Sequence, residues 1–334
     1  MDARRHPMTI EITTPSRLHV TLIDLNASIG RVDGGIGLTI GEPGIRITAE
    51  VVEAAEGVDG VTVAGDSELT CRVQSSASAI LPEGCGVRIH IERDSPSHVG
   101  LGTGTQAALA AGMAVNRLYD LGMSVRDIAI AVGRGGTSGI GVASFESGGF
   151  ILDSGHKFSE KGAFKPSAAS KSPPASILFQ QPFPDWEIVL AIPDVVGAHD
   201  AREVDIFGKE CPIPLSEVRK LSHIILMETL PSVVEGDIEA FGDSINRIQD
   251  VGFKRREIAL QVPEIVQIIK RMQESMCGAG MSSFGPAVYG ITDSRRAAAD
   301  TMHRVQEFLD ATLGGRCMVV HARNSGADVC ATPY

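Results

Sequence analysis

The sequence predicts a two-domain α+β protein, and three observations support this fold class. Its 334 residues exceed the roughly 150 residues of a typical single domain. Alternating apolar residues before position 95 indicate strands, and later segments interleave helical and strand patterns. A Ser-, Lys-, Pro- and Ala-rich stretch at 157–176 is typical of a linker or a mobile loop. We therefore expect an N-terminal domain over residues 1–176 and a C-terminal domain over 177–334.

The first ninety residues carry strand patterns. Apolar and polar residues alternate over 9–13, 18–22, 45–49 and 87–92, which is the period of a half-buried strand. Glycine-rich turns separate these segments. We expect this part of the chain to be β structure.

Helices and strands alternate after residue 100. Residues 105–121 are rich in alanine and predict a long helix, and Ser124 is placed to cap a second one. Further helices are predicted over 215–229, 237–250, 263–275 and 294–313, and strands over 149–152, 177–179, 187–192, 285–291 and 317–322. This order of elements indicates a layered α+β unit in the second half.

Composition restricts the class of partner. With 30 basic and 41 acidic residues the formal net charge is −11, which argues against broad binding to nucleic acids or anionic membranes. No apolar run approaches the roughly 20 residues of a membrane span, and the first residues lack a signal-peptide core. Six scattered cysteines indicate reduced thiols, so we expect a cytoplasmic protein. Its expected partners are small molecules, because the acidic charge argues against nucleic acids and membranes. Exposed sheet or helix faces would allow a homodimer.

A glycine-rich loop carries the strongest chemical signal. Three glycines within 100–104 follow a predicted strand and precede a predicted helix. Glycines let several backbone N–H groups point one way, and a helix N-terminus adds partial positive charge, so this segment suits a phosphate. The alternative is a tight structural turn. The residues expected to bind phosphate are Gly100, Gly102, Thr103, Gly104, Thr105 and Gln106.

A second glycine-rich loop at 277–286 lies between a predicted helix and a predicted strand. On its own it indicates only a turn, but the two loops together resemble motifs of the GHMP kinase superfamily. Residues 96–103, Pro-Ser-His-Val-Gly-Leu-Gly-Thr, resemble its Pro-x-x-x-Gly-Leu-Gly-Ser-Ser phosphate loop. Residues 281–288, Met-Ser-Ser-Phe-Gly-Pro-Ala-Val, resemble its Met-Ser-Gly-Ser-Gly-Pro-x-Val motif.

The two motifs are also in the order and at the spacing expected for the superfamily. The superfamily resemblance therefore covers nearly the whole chain. It implies a GHMP-kinase fold, with an N-terminal domain like domain 2 of ribosomal protein S5 and a ferredoxin-like C-terminal domain. It also implies that Gly280, Ser282 and Ser283 of the second loop bind substrate.

Two departures from the superfamily pattern weaken the case for a kinase. The second serine of the phosphate loop, which ligates Mg²⁺ in many members, matches Gly104, so Thr103 or Thr105 would have to replace it. The Ser-Gly-x-Asp motif of many members supplies a base for phosphoryl transfer. Here that motif reads Ser-Gly-Ile-Gly at 138–141, and Gly141 stands where the carboxylate would be.

The N-terminal segment resembles one branch of the superfamily. Thr-Pro-Ser-Arg-Leu-His-Val-Thr-Leu-Ile-Asp-Leu-Asn at 14–26 and Gly-Arg-Val-Asp-Gly-Gly-Ile-Gly-Leu at 30–38 are similar to the β-ribofuranosylaminobenzene 5′-phosphate synthase family of methanopterin biosynthesis. This resemblance implies a decarboxylating phosphoribosyltransferase. Its substrates would be phosphoribosyl pyrophosphate and 4-hydroxybenzoate or 4-aminobenzoate. Its products would be a C-riboside 5′-phosphate, CO₂ and pyrophosphate, with Mg²⁺ as cofactor.

Polar residues interrupt this otherwise apolar N-terminal segment and are candidates for catalysis. Departure of pyrophosphate leaves an electron-poor ribose carbon, and nearby polar groups would stabilise charge or move a proton. The candidate catalytic residues are Arg17, His19, Asp24 and Asp33. The alternative is a solvated strand face for the first two and a turn at Asp33.

Further candidates would bind the substrates and the metal. Arg31 would hold a carboxylate or phosphate through paired hydrogen bonds, and His98 lies within the first glycine loop. Thr105 and Glu146 are candidate Mg²⁺ ligands. Lysines of the 157–176 stretch would form an anion-binding lid, unless that stretch is a solvated loop.

Two other functions stay open from the sequence. One is an active small-molecule kinase that uses ATP, and the other is a non-catalytic ligand-binding member of the same fold. Turnover of ATP to ADP with a panel of metabolites would identify the kinase. Binding of a nucleotide or sugar phosphate without turnover would identify the binding protein.

Overall fold

Three β-sheets organise the protein. A computed structural model describes residues 8–53, 60–166, 169–195, 197 and 201–333. The first sheet contains β1 (Met8–Thr13), β4 (Arg46–Val52), β5 (Val61–Ala64), β6 (Gly86–Arg93) and β14 (Asp328–Pro333). Their order is β14–β1–β4–β6–β5, and only β5 and β6 pair in parallel. The strands expected over 9–13, 45–49 and 87–92 are therefore confirmed.

The second sheet includes the candidate catalytic segment. It contains β2 (Ser16–Asp24), β3 (Arg31–Ile40), β7 (Phe150–Asp153), β8 (His156–Lys157) and β9 (Ile177–Gln181). The order is β2–β3–β7–β9, and β8 pairs with the start of β3. Antiparallel pairing places Arg17 opposite Thr39 and His19 opposite Gly37, whereas Asp33 pairs with Asp24 at the other end of the two strands. The expected cluster of catalytic residues is therefore divided between the two ends of this strand pair.

The third sheet lies in the C-terminal half and is antiparallel throughout. It contains β10 (Glu187–Pro193), β11 (Gly278–Met281), β12 (Val288–Thr292) and β13 (Gly315–His321), in the order β11–β12–β10–β13. Helices precede β11 and connect β12 to β13. In chain order this is the 4-1-3-2 arrangement of a βαββαβ unit, so the expected ferredoxin-like architecture is confirmed.

Helices pack against all three sheets. Those of the first half are α1 (Thr70–Ser78), α2 (Thr103–Tyr119), α3 (Val125–Ala131), α4 (Ile140–Glu146) and α5 (Phe158–Lys161). Those of the second half are α6 (Ala201–Glu210), α7 (Leu215–Ile224), α8 (Leu230–Glu235), α9 (Ile238–Gln249), α10 (Gly252–Ala259), α11 (Pro263–Gln273) and α12 (Arg295–Ala311), with a π-helical turn (Ile225–Thr229) between α7 and α8. Among the described residues, no helix has both the length and the apolar character needed to cross a bilayer.

Helix caps follow the sequence rules. Ser124 accepts a hydrogen bond from the Asp127 N–H, and the Asp127 carboxylate accepts one from the Ser124 N–H, which completes a capping box for α3. Ser294 accepts from the Ala297 N–H at the start of α12. Both predicted caps are confirmed.

The structure corrects the expectation that the first ninety residues are all β. Helix α1 lies within them, although serine and threonine supply four of its nine residues and have modest helix propensity. Val73 and Ala77 are fully buried in the core that α1 shares with α2. Tertiary packing therefore stabilises a helix that the local sequence does not predict.

A close approach of α4 to β3 fixes the second sheet beside α2. A Cβ on Gly37 would lie 2.5 Å from Ile140 Cγ2 and 2.6 Å from the Leu18 carbonyl oxygen. Only glycine leaves room for this contact, since real Cβ atoms do not approach other atoms so closely. The first turn of α4 consequently lies against the first turn of α2, where Gln106 Nε2 donates to the Gly141 carbonyl at 2.8 Å.

Strands from beyond residue 176 complete sheets of the N-terminal half. β9 pairs with β7, and β14 pairs with β1. The core under the second sheet also joins both halves, because Leu18 and Ile36 belong to the same buried cluster as Leu190 and Phe241. The division at residue 176 stays a prediction.

The 157–176 stretch, as far as the structure describes it, is packed rather than extended. Thr137 Oγ1 donates to the Lys165 carbonyl at 2.6 Å, and the Ser154 N–H donates to the Ser176 carbonyl at 2.8 Å. A Cβ on Gly136 would lie 2.8 Å from Ser170 Oγ. These contacts fix the stretch against the glycine-rich loop that leads into α4.

Candidate active site

The first glycine loop forms the N-terminus of α2 and lines a cavity of about 530 Å³. Gly102 caps the helix in the left-handed conformation, with φ of 77°. The N–H groups of Thr105 and Gln106 donate back to its carbonyl. Those of Thr103 and Gly104 have no hydrogen-bond partner among the residues that the structure describes. Two backbone donors and the positive end of the helix dipole are thus available to an anion.

Arg17 reaches from β2 into this cavity. Its Nη1 donates to the Gly100 carbonyl at 2.6 Å, and its side chain packs on Gly102, where a Cβ would lie 3.0 Å from Arg17 Cγ. Burial lowers the pKa of Arg17 to about 10, against the opposing effect of Glu203 and Glu257. The guanidinium is therefore charged at neutral pH, beside the open N–H groups of α2.

The second glycine loop is hydrogen-bonded to the first loop and to β2. Ser282 Oγ accepts from the His19 N–H at 2.9 Å and donates to the Gly100 carbonyl at 2.7 Å. The Ser283 N–H donates to the His19 carbonyl at 2.8 Å, and Ser283 lines the cavity. These hydrogen bonds bring the two glycine loops together. Gly280 differs, because it lies in β11, where its missing Cβ makes room for Gln249.

His19 lies beneath the glycine loop with its ring buried. Its Nδ1 has no partner among the described residues, and a Cβ on Gly35 would lie 3.1 Å from Nε2. Burial, together with the charges of Arg17 and Lys254, holds the pKa of His19 well below its ordinary value. The ring is neutral at physiological pH, so it can accept a hydrogen bond but resists taking up a proton.

Asp33 occupies a buried charge cluster and not a solvated turn. Its Oδ2 accepts from His156 Nδ1 at 2.7 Å and from Lys161 Nζ at 2.6 Å. The backbone is left-handed there, with φ of 68°, a conformation that aspartate tolerates better than most residues. Lys161 also donates to Thr137 Oγ1 at 2.8 Å. This lysine of the expected lid therefore neutralises an internal carboxylate.

Asp153 adjoins this cluster and was not predicted as a site residue. Its carboxylate accepts from the N–H groups of Gly139 at 2.8 Å and Gly155 at 2.9 Å. Burial raises its pKa to about 6, while these two N–H bonds oppose the shift. A Cβ on Gly35 would lie 3.7 Å from its Oδ2 and 3.1 Å from His19 Nε2. Asp153 thus binds the start of α4, and its carboxylate lies near Gly35, as the His19 ring does.

Comparisons with known proteins agree with this geometry. Residues 69–149 match the protein family described as "GHMP kinases N terminal domain". Residues 229–311 match the family described as "GHMP kinases C terminal". A protein of Archaeoglobus fulgidus named beta-ribofuranosylphenol 5′-phosphate synthase is 45% identical over 322 residues, covering 96% of this chain and 99% of its own length. A protein of Methanothermobacter thermautotrophicus with the same name is also 45% identical, with the same coverage of both chains. The chain belongs to the β-ribofuranosylphenol 5′-phosphate synthase family.

Solved structures place this synthase family on the GHMP kinase fold. Homoserine kinase of Cytophaga hutchinsonii superposes with a TM-score of 0.66 at 16% identity, over 99% of each chain. Mevalonate kinase of L. major, solved with R-mevalonate, superposes with a TM-score of 0.67 at 15% identity, over 95% of this chain and 96% of its own. The fold class expected from the glycine motifs is therefore confirmed.

Gly141 lies beside the phosphate loop, at the position where the superfamily motif would supply an aspartate. Its Cβ, if present, would lie 3.3 Å from Thr105 Cγ2, and Thr105 lines the cavity. An aspartate at this position would thus reach the phosphate loop, where a phosphoryl acceptor needs a base. In this chain the position carries only a hydrogen atom.

Some of the other predicted loop residues line the cavity, and others are buried behind its wall. His98, in a left-handed conformation with φ of 57°, lines the cavity and is exposed. Thr103 Oγ1 donates to the Pro96 carbonyl at 2.7 Å, so this hydroxyl stabilises the loop itself. Gln106 is buried beneath the loop and its Oε1 has no partner among the described residues.

Eight predicted residues do not line the cavity: His19, Asp24, Arg31, Asp33, Gln106, Glu146, Gly280 and Ser282. Asp24 Oδ1 accepts from the N–H groups of Asn26 and Ala27 and so stabilises a turn at the end of β2. Arg31 donates to the Ser154 carbonyl at 2.6 Å and reaches no cavity residue. Glu146 is exposed at the last residue of α4, five residues beyond Gly141, or about 7 Å along the helix. The structure does not bring Glu146 and Thr105 together.

Mg²⁺ is compatible with the cavity through other oxygen donors. Within the described ranges, no cluster of three or more acidic, histidine or cysteine side chains converges on a metal position. The cavity lining nevertheless contains the carboxylates of Glu68 and Glu203 and the Thr105 hydroxyl. Mg²⁺ is commonly bound through one or two carboxylates together with substrate phosphates, and this donor set fits that pattern.

Sequence reasoning missed the charged residues that reach the site from distant elements. Lys254 of α10 is fully buried and donates to the Ser283 carbonyl at 2.8 Å and to Glu257 at 2.6 Å. Arg134 lines the cavity from the loop after α3, and a Cβ on Gly104 would lie 3.5 Å from its Nη2. A lysine and a glutamate three residues apart suggest a solvated helix pair, so the sequence offered no signal for their burial.

Proposed function

We propose that this chain is a decarboxylating phosphoribosyltransferase that joins phosphoribosyl pyrophosphate to 4-hydroxybenzoate. The observation that carries the proposal is a cavity that contains Arg17 and two backbone N–H groups at the start of α2 available to an anion. Beside them lies Gly141, which has no side chain to act as a base. Such a site suits binding and release of a diphosphate without phosphoryl transfer. The relatives are named for a phenol product, which supports 4-hydroxybenzoate over 4-aminobenzoate.

The glycine loop stabilises the leaving group in this proposal. When the bond between ribose C1 and the diphosphate oxygen breaks, the electron pair stays with pyrophosphate and increases its negative charge. The Thr103 and Gly104 N–H groups and the Arg17 guanidinium lie where they would accept that charge. Preorganised donors of this kind lower the barrier because they need no reorientation during the reaction.

The acceptor ring supplies the new bond. Its carboxylate-bearing carbon gives an electron pair to ribose C1, and loss of CO₂ from that carbon returns the pair to the ring and restores aromaticity. Phe284 lines the cavity and packs on Phe253 with ring centroids 5.7 Å apart, so it offers a rigid aromatic wall for this ring. The neutral His19, close beneath, provides a hydrogen-bond acceptor without adding positive charge.

Mg²⁺ belongs to the proposal as a partner of the diphosphate. Glu68, Glu203 and Thr105 are the residues that would hold it. When bound, the ion neutralises charge on the departing diphosphate. The protein residues then orient the diphosphate against the start of α2.

Carboxyl-labelled 4-hydroxybenzoate tests the function directly. Incubation with phosphoribosyl pyrophosphate and Mg²⁺ is expected to release labelled CO₂ and pyrophosphate in equal amounts. Omission of any one component should stop both, and 4-aminobenzoate in a parallel reaction measures the choice of acceptor. Lack of CO₂ release with both acids, together with ADP formation from ATP and a metabolite alcohol, would establish the kinase instead.

The assembly and location expected from the sequence stay predictions alongside this function. Size-exclusion chromatography with light scattering measures whether the chain forms a homodimer. Fractionation of the source cells measures whether it is cytoplasmic.

A further inference from the structure

Lys254 and Glu257 form a buried ion pair behind the cavity. Both lie on α10, their side chains are 0% and 4% exposed, and Lys254 Nζ lies 2.6 Å from a Glu257 oxygen. The Lys254 ammonium also donates to the carbonyl of Ser283, which lines the cavity. The pair therefore contacts the cavity wall directly without reaching solvent.

The charges around this pair do not balance. Arg17 is near enough to Lys254 and Glu257 for their charges to affect one another's pKa values. The buried set thus contains two cations and one anion, and His19 between them is neutral. Glu203 raises the pKa of Arg17 more than Glu257 does, but it lies in the cavity lining itself and is not part of this buried set.

We infer that Lys254 and Glu257 are positioning residues that set the charge of the buried wall behind the anion cavity, so that this wall contributes one excess positive charge toward a bound diphosphate. Burial makes such a charge effective, because little water screens it. The pair acts through Ser283 and Arg17, without touching the substrate. This inference rests on the diphosphate-binding role in the proposed function.

A charge-setting role differs from a purely structural one in a measurable way. Removing the positive charge should weaken anion binding, and removing the negative charge as well should restore it. A purely structural role would also make the double replacement milder than the single one, because Lys254→Met alone leaves the Glu257 carboxylate buried and unpaired. Only the charge-setting role predicts that two folded double variants that differ by one charge also differ in anion affinity.

Three variants compare these roles by calorimetric titration with inorganic pyrophosphate at constant pH and ionic strength. Lys254→Met brings the buried set to zero net charge. Lys254→Met/Glu257→Gln returns it to one positive charge. Lys254→Arg/Glu257→Gln brings it to two, because arginine keeps its proton even when buried. Circular dichroism and thermal unfolding establish that each variant is folded.

We expect pyrophosphate affinity to follow the charge. The Lys254→Met variant should bind about tenfold more weakly than wild type. The Lys254→Met/Glu257→Gln variant should lie within about threefold of wild type, and the Lys254→Arg/Glu257→Gln variant should bind about tenfold more tightly. If Lys254→Met does not fold, the two double variants still differ by one charge and should differ in affinity in the same direction.

Equal affinity of the two double variants would overturn the inference, and so would a Lys254→Met/Glu257→Gln variant as weak as Lys254→Met. These outcomes are separate from the fate of the proposed function. If the wild-type protein forms the riboside but the pyrophosphate affinity of the variants does not depend on their charge, the proposed function stands and the inference fails. If no riboside forms but pyrophosphate affinity follows the charge, the inference stands and the proposed function fails.

Discussion

Arg17 reaches the glycine loop because residue 102 has no side chain. Its guanidinium packs on the Gly102 backbone and donates to the Gly100 carbonyl at 2.6 Å. The same group both shapes the loop and supplies positive charge to the cavity. One substitution therefore removes two contributions to diphosphate binding.

Arg17→Ala should lower kcat/KM for phosphoribosyl pyrophosphate by at least about a hundredfold. The reason is that losing a charged hydrogen bond to a reacting diphosphate should cost about 3 kcal/mol of transition-state stabilisation. Steady-state release of labelled CO₂ measures it. Arg88→Ala is the matched control, since Arg88 is exposed and pairs only with Glu50 in the residues described. Activity of Arg17→Ala equal to that of this control would remove Arg17 from the site.

Asp153 makes a pH-dependent contribution to stability. Burial raises its pKa to about 6 from the ordinary 3.8, so the folded protein holds this proton more tightly than the unfolded chain does. Between these two pH values the folded state binds more protons, and stability falls as pH rises. The same carboxylate accepts a hydrogen bond from the Gly139 N–H at the start of α4.

Asp153→Asn should remove this pH-dependent cost. The free energy of unfolding is measured by urea denaturation at pH 4 and at pH 7 for both proteins. Between these pH values the wild type should lose about 2 kcal/mol of stability relative to the variant. Asp127→Asn is a control of opposite sign, because hydrogen bonds from Ser124 lower the pKa of Asp127. For that control, the wild-type advantage should grow as pH rises. Parallel pH profiles for wild type and Asp153→Asn would contradict the assignment.

At the scale of residues, the sequence predicted Arg17 and most of the glycine-loop residues that line the cavity, but not the charged residues behind them. The glycine loops and Arg17 were predictable because each resembles a motif whose backbone chemistry is local. Lys254 and Asp153 were not, because their burial depends on contacts with Ser283 and Gly139, each at least 14 residues away. A carboxylate or lysine in an isolated sequence gives no indication of which distant backbone group it will meet.

Among the elements, α4 shows most clearly how packing positions the site. It contacts β3 at Gly37 and α2 through the hydrogen bond between Gln106 and Gly141. Displacing α4 would therefore move the first turn of α2. The close contact at Gly37 makes this a testable dependence.

Gly37→Ala should lower the free energy of unfolding by about 2 kcal/mol, because its methyl group would overlap Ile140 and the Leu18 carbonyl. Gly208→Ala in α6 has no atom within 4 Å of the new Cβ and should raise stability by about 0.5 kcal/mol through helix propensity. Thermal and urea unfolding measure both. A stabilising effect of Gly37→Ala would show that α4 does not pack on β3 as described.

The elements that the sequence predicted are those with strong local signals. Helix α2 is rich in alanine, α3 and α12 have serine caps, and the strands of the first sheet alternate regularly. Helices α1, α4 and α10 were missed because serines, glycines and charged residues conceal their periodicity. Each of these three lies against another element that supplies the stability its own sequence lacks.

For the whole molecule, the two halves share cores and sheets. β9 and β14 complete N-terminal sheets, and residues of both halves belong to one buried cluster. A fragment ending at residue 176 would leave β1 and β7 with unpaired edges. Independent folding of the halves is therefore unfavourable.

Calorimetry should show a single unfolding transition for the full chain, whose calorimetric and van't Hoff enthalpies agree. Fragments 1–176 and 177–334 expressed separately should be insoluble or unfolded by circular dichroism. Two resolved transitions, or a soluble and cooperatively folded 1–176 fragment, would instead establish autonomous domains divided at residue 176.

The Ser282 hydroxyl has a consequence for chimeric enzymes. It bonds at once to the His19 N–H and the Gly100 carbonyl, so one atom group unites three segments that are far apart along the chain. A hybrid that takes its amino-terminal part from this protein and its carboxy-terminal part from a kinase must inherit a hydroxyl at that place. Grafting new specificity onto this scaffold thus requires exchanging both glycine loops as a matched set.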